Sequence, residues 1–116
     1  MKTLFILNDP PYGTERSYNA LRLAIQLAKR EDQQVRIFLI GDAAACAKRG
    51  QKVPQGYYSL EAMLGVATRR GAEVGVCGTC MEARGVSDEE LAPATRRSTM
   101  DELADWTLWA DRVVSF

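Results

Sequence analysis

The sequence predicts a three-layer α/β/α protein, one domain over residues 1–116, built on an open and mainly parallel five-stranded sheet with helices on both faces. Three observations predict it. Apolar runs of strand length alternate with amphipathic runs of helix length, and parallel strands need the crossovers that such helices supply. The first three strand-like runs stop at Asn8, Gly41 and Gly78, residues of the kind that turn a chain. The 116 residues are 47% hydrophobic, enough for a core that needs neither disulfides nor a structural metal.

Residues 3–7 are a compact apolar run that reads as a buried first strand, and residues 8–13, with two prolines, as the loop leaving it. Over residues 15–30, Leu21, Ala24, Ile25, Leu27 and Ala28 form an apolar stripe, and Thr14 or Ser17 is expected to supply the capping oxygen. Residues 35–40 are a second strand ended by Gly41 and Asp42. Asp42 is there either a helix N-cap or a carboxylate of a site. A short helical segment over 43–49 contains Cys46, which reads as core, and residues 50–59 form a polar loop. Ser59 caps a helix over 60–70 that buries Met63, Leu64, Val66 and Ala67 and stops at Gly71. The third strand spans 73–77. After Gly85 come an acidic turn at 87–90, a brief fourth strand at 95–97, a helix over 100–110 capped by Ser98 or Thr99, and a last strand over 112–116.

Residues 73–85, Glu-Val-Gly-Val-Cys-Gly-Thr-Cys-Met-Glu-Ala-Arg-Gly, carry the chemistry. Val74 and Val76 suit a buried strand, Gly78 permits a tight exit, and Thr79 is expected to cap a short helix that begins at Cys80. Cys77 then stands at a strand's carboxyl end facing a helix amino end, where free N–H groups and the helix dipole favour a thiolate, the form that attacks sulfur. Cys77 is the candidate nucleophile, and Cys80 a candidate resolving thiol. In parallel α/β sheets ligands bind beyond the strands' carboxyl ends, so the loop with Asn8, Asp9 and Tyr12, Asp42, and residues 77–80 are expected to converge. Asn8 and Asp9 are equally good turn formers. Arg84 either supports an anionic sulfur or is a solvated helix-end cation, and Tyr12, Tyr57 and Tyr58 line a pocket or a subunit contact.

Composition excludes several classes. The 15 basic and 15 acidic residues cancel without a basic block, which leaves no footprint for nucleic acid or anionic membrane. No apolar run approaches the length that spans a bilayer or forms a signal peptide, so a cytoplasmic location is expected, where three cysteines stay reduced. The absence of histidine removes a Cys–His pair and leaves too few ligands for an intrachain zinc site, so no metal is expected. Asn8-Asp9-Pro10-Pro11 lacks the cradle that holds a flavin phosphate, so no cofactor is expected either, and Cys77 stands where a response-regulator receiver would need a phosphorylatable aspartate. The cysteine pair also comes too late in the chain for a thioredoxin layout.

Taken in order, Phe5-Ile-Leu-Asn-Asp-Pro-Pro-Tyr-Gly13, the second strand with Asp42, Val76-Cys-Gly-Thr-Cys-Met-Glu-Ala-Arg-Gly85, Ser98-Thr-Met-Asp-Glu-Leu-Ala-Asp-Trp106 and Ala110-Asp-Arg-Val-Val-Ser-Phe116 resemble the DsrE/DsrF-like family of small sulfur-relay proteins. The resemblance covers nearly the whole chain. It implies a five-stranded sheet of flavodoxin-like winding, assembly as homotrimers or homohexamers, and a persulfide-carrying cysteine eight residues before the Arg-Gly glycine, where Cys77 stands. Cys80 departs from the relay subunits and matches the Cys-Gly-Thr-Cys branch. The expected function is therefore acceptance and passage of sulfur between donor and acceptor proteins or small thiols. The alternatives are a Cys-x-x-Cys redox protein and a non-catalytic oligomeric binding or scaffold protein.

Overall fold

A computed structural model describes all of residues 1–116. The strands are β1 (Lys2–Leu7), β2 (Gln34–Leu39), β3 (Glu73–Cys77), β4 (Thr95–Ser98) and β5 (Arg112–Ser115), and the helices are α1 (Arg16–Ala28), α2 (Leu60–Arg69), α3 (Gly78–Ala83) and α4 (Met100–Trp109). Two 3₁₀ turns, Gly41–Ala47 and Asp88–Glu90, complete the chain. The five strands form one sheet in the order β4-β3-β2-β1-β5, every pairing parallel. No helix is long and apolar enough to cross a membrane.

In flavodoxin the first strand lies between the second and third; here β1 lies between β2 and β5, so the chain steps one way from β1 to β4 and reverses only at its last crossover. Right-handed crossovers then place helices on one face until that reversal and α4 on the other. The core divides accordingly. One apolar cluster joins Phe5, Leu7, Ile37, Leu39, Val74 and Val76 of the sheet to Leu21 and Ala24 of α1 and Leu60 and Leu64 of α2. A smaller one joins Leu4, Phe38 and Cys77 to Leu103 and Trp106 of α4, with the Trp106 ring edge-on to Phe38 at 6.1 Å.

Local sequence explains most boundaries. Ser59 caps α2, its hydroxyl accepting from Ala62 N–H at 3.2 Å, and of the two expected caps of α4 it is Thr99 that accepts from Glu102 N–H at 3.1 Å. Of the two expected caps of α1, Thr14 Oγ1 accepts from Arg16 N–H at 3.4 Å, while the Ser17 hydroxyl donates to the Asp9 carbonyl at 2.7 Å and Glu15 holds the N-cap position without a side-chain bond. The segment expected as a helix over 43–49 is a tighter 3₁₀ turn, entered through Gly41 at φ +61°, where only glycine avoids a steric penalty. Cys46 is fully buried within it, and burial pushes its thiol up to about 12.

Candidate functional site

The chain leaves β3 without a turn. Gly78 is already the first residue of α3, so Cys77, the last strand residue, is itself the helix N-cap. This corrects the expectation that Thr79 caps a helix starting at Cys80, and the reason is steric. A Cβ on residue 78 would lie 3.1 Å from the Ser98 carbonyl oxygen and from the Arg97 side chain, so only glycine lets the strand bend into a helix against β4. The cap is a sulfur atom: Cys77 Sγ accepts from Cys80 N–H at 3.3 Å and lies 3.3 Å from the Thr79 hydroxyl. At six residues α3 carries little dipole, so direct hydrogen bonds, not the field of a long helix, must hold a thiolate here.

The two thiols are driven apart electrostatically. Burial acts to raise Cys77, but hydrogen bonds from the Cys80 thiol, the Thr79 hydroxyl and the N–H groups of both residues outweigh it and hold it below the ordinary thiol range. Burial raises Cys80, and so do the hydrogen bond it gives to Cys77 and the charge of Cys77; the Gly41 N–H and Arg84 oppose this. Of the pair, Cys77 is therefore the thiol that ionises first and Cys80 the one that holds its proton longer. No disulfide joins them.

Asp42 and Arg84 frame the Cys80 side. Gly41 N–H donates to Cys80 Sγ at 3.2 Å, while Arg84 reaches Asp42 Oδ1 through Nη2 at 2.7 Å and Nε at 3.1 Å and also donates to the Cys80 carbonyl at 3.1 Å. Asp42 therefore pins α3 to the turn after β2, and Arg84 spends its charge on a carboxylate.

The loop after β1 makes no hydrogen bond to Cys77 or Cys80. Asn8 donates through Nδ2 to the Phe116 carbonyl at 2.9 Å and to Ser115 Oγ at 3.2 Å, tying β1 to β5. Asp9 accepts from Thr14 at 3.0 Å and pairs with Arg16 at 3.8 Å, organising the entry to α1. Tyr12 donates to Gln51 Oε1 at 2.6 Å and, with Tyr57, Tyr58, Val53 and Pro54, lines a separate cavity of about 550 Å³. The strand order accounts for the separation, since β2 lies between β1 and β3.

Cys77 instead opens towards β4. In register it sits beside Ser98, and a cavity of about 260 Å³ is lined by Cys77, Thr79, Glu82, Arg97, Ser98 and Met100, among others. Arg97, which sequence reasoning missed, donates to Asp88 at 2.7 Å, to Glu82 at 3.1 Å and to the Gly78 carbonyl at 3.3 Å. Its charge is thus matched by two carboxylates. The Ser98-Thr99 cap was the sequence signal nearest this wall, but nothing local placed β4 next to β3.

Fold and site together define a small parallel α/β thiol protein whose cysteine pair begins a helix at the carboxyl end of an interior strand. The chain belongs to the DsrE/DsrF-like family, whose model matches residues 1–116. It is 40% identical to protein YchN of Escherichia coli K12 over 116 residues, covering 99% of this chain and 98% of that one. The crystal structure of the E. coli YchN protein superposes with a TM-score of 0.91, covering 100% of both chains. A protein of unknown function from Methanobacterium thermoautotrophicum, at 11% identity and a TM-score of 0.76 over 99% of this chain and 98% of its own, shares the fold. Membership is consistent with sulfur relay at the level of the family.

Proposed function

We propose that this protein carries sulfur as a persulfide on Cys77 and passes it on. The observation that carries the reading is the Cys77 sulfur in the N-cap position, accepting from Cys80 N–H and facing the Thr79 hydroxyl, each at 3.3 Å, with a cavity beside it. A thiolate held this way attacks the outer sulfur of a donor persulfide; the donor leaves as its own thiolate, and the sulfur–sulfur bond that is broken is replaced by one to Cys77. The step needs no metal or cofactor. Donor and acceptor are proteins or small thiols, and the setting is a reducing cytoplasm and a homotrimer or homohexamer. Thr79, Gly78, Arg84 and Asp42 support the thiol pair, while Asn8, Asp9 and Tyr12 act at a distance by shaping the neighbouring loops.

The test is intact-mass measurement after incubation with cysteine persulfide. With Cys80 replaced, so that nothing removes the added sulfur, Cys80→Ser is expected to gain the mass of sulfur and Cys77→Ser to gain none; a Cys77→Ser protein labelled to the same extent as Cys80→Ser overturns the reading. A second reading, a dithiol redox protein, draws on the presence of Cys80 at the same helix end, hydrogen-bonded to Cys77. It predicts a Cys77–Cys80 disulfide under mild oxidation with no sulfur uptake. A scaffold would be indifferent to both substitutions.

A further inference from the structure

The two sides of Cys77 Sγ are unlike. On one side is the cavity, walled by Phe38 of β2 as well as by Thr79, Arg97 and Ser98, to which Cys80 contributes nothing. On the other is Cys80, its own sulfur held by Gly41 N–H at 3.2 Å and its backbone N–H bonded to Cys77 Sγ at 3.3 Å. Cys77 lines the open space and Cys80 does not. A second sulfur on Cys77 has room in the cavity, while Cys80 stays within hydrogen-bond reach of the inner sulfur. Displacement at sulfur proceeds with entering and leaving groups on opposite sides of the sulfur attacked. The remaining thiol, Cys46, is fully buried and donates to the Asp9 carbonyl at 3.7 Å, so it plays no part.

We propose that Cys80 resolves the Cys77 persulfide by attacking its inner sulfur and releasing hydrogen sulfide, an inference that rests on the persulfide reading above. Cys80 loses its proton and forms the Cys77–Cys80 bond; the Cys77–sulfur bond breaks; the outer sulfur takes the bonding pair and leaves as hydrosulfide, which takes up the Cys80 proton to become hydrogen sulfide. The two thiol sulfurs are oxidised to a disulfide, and the sulfane sulfur is reduced by the same two electrons. An external dithiol, of the kind that reduces exposed Cys-x-x-Cys disulfides, restores the starting state. By this route sulfur leaves as free sulfide, and the reaction that consumes it is one that takes sulfide.

Reduced wild type, Cys80→Ser, Cys80→Ala and Cys77→Ser are each mixed anaerobically with a stoichiometric amount of cysteine persulfide, and sulfide release and intact mass are followed together. Expected is one sulfide per wild-type chain and a product lighter than the starting protein by two hydrogens. Both Cys80 variants are expected to keep the added sulfur and to release sulfide at least about tenfold more slowly. Equal sulfide release by wild type and both Cys80 variants, or a wild type that keeps its persulfide as they do, overturns resolution by Cys80 and leaves the carrier reading standing. Failure of all the proteins to take up sulfur, or uptake by Cys77→Ser, overturns the carrier reading and this inference with it.

Discussion

Thr79 offers Cys77 a hydroxyl at 3.3 Å, and that contact is one of those that set burial against ionisation at the thiol. A hydrogen bond to a charged group is worth about 1.5–3 kcal/mol, so Thr79→Val is expected to slow alkylation of Cys77 at neutral pH roughly tenfold or more. The sign with pH follows from the lowered native value. Native Cys77 stays ionised below the pH at which a free thiol protonates, so its alkylation rate falls only as pH drops through the native value, and the Thr79→Val profile moves towards higher pH. Any stability that ionised Cys77 contributes is complete above the unfolded value and is lost over the same descent. A Thr79→Val profile that coincides with the wild type would show that the hydroxyl is no donor to the thiolate. Residue types alone singled out Cys77 and Cys80 as candidates, since a strand-like run ending at Cys-Gly is a local pattern. That Cys77 is the cap, and that Asn8, Asp9 and Tyr12 bond elsewhere, depended on partners distant in sequence.

Among the elements, the junction of β3, α3 and β4 is the one most tightly drawn. Placing a methyl group on residue 78 sets it 3.1 Å from the Ser98 carbonyl, which belongs to a paired strand and has little room to yield. Overpacking of this kind costs about 1–3 kcal/mol. Alanine's better helix propensity, worth about 1 kcal/mol, offsets part of that. Gly78→Ala is therefore expected to lower the urea midpoint and, by pushing β4 away, to loosen the wall of the Cys77 cavity. An unchanged midpoint would mean that β4 does not press on α3 in solution. Helices α2 and α4 were legible because their caps and apolar spacing lie within a few residues. The 3₁₀ turn at Gly41–Ala47 was not, because its short apolar run fits a helix equally well until Cys80 and Arg84 are seen against it.

For the whole molecule, the single reversal of winding leaves one face of the sheet to α4 alone. Trp106, 4% exposed, is the largest side chain of that cover. Trp106→Ala is expected to cost about 3–5 kcal/mol, a large share of the about 5–15 kcal/mol that holds a domain together. Cys46, buried on the opposite face with its thiol pushed up to about 12, reports whether both faces melt as one unit. One cooperative domain predicts that Cys46 becomes alkylatable at the same lowered urea concentration at which tryptophan fluorescence changes; protection persisting beyond it would show two separately melting halves.

By itself the sequence determined the alternation of elements, the count of five strands, the buried stripes and the cysteine pair at a strand's end, because hydrophobic period, caps and turn residues act over a few positions. Only the tertiary structure decided that β4 lies beside β3 and β1 does not. Strand order is set by pairing between segments far apart in the chain, and that order opens Cys77 towards Ser98 and Arg97, away from the loop of Asn8, Asp9 and Tyr12.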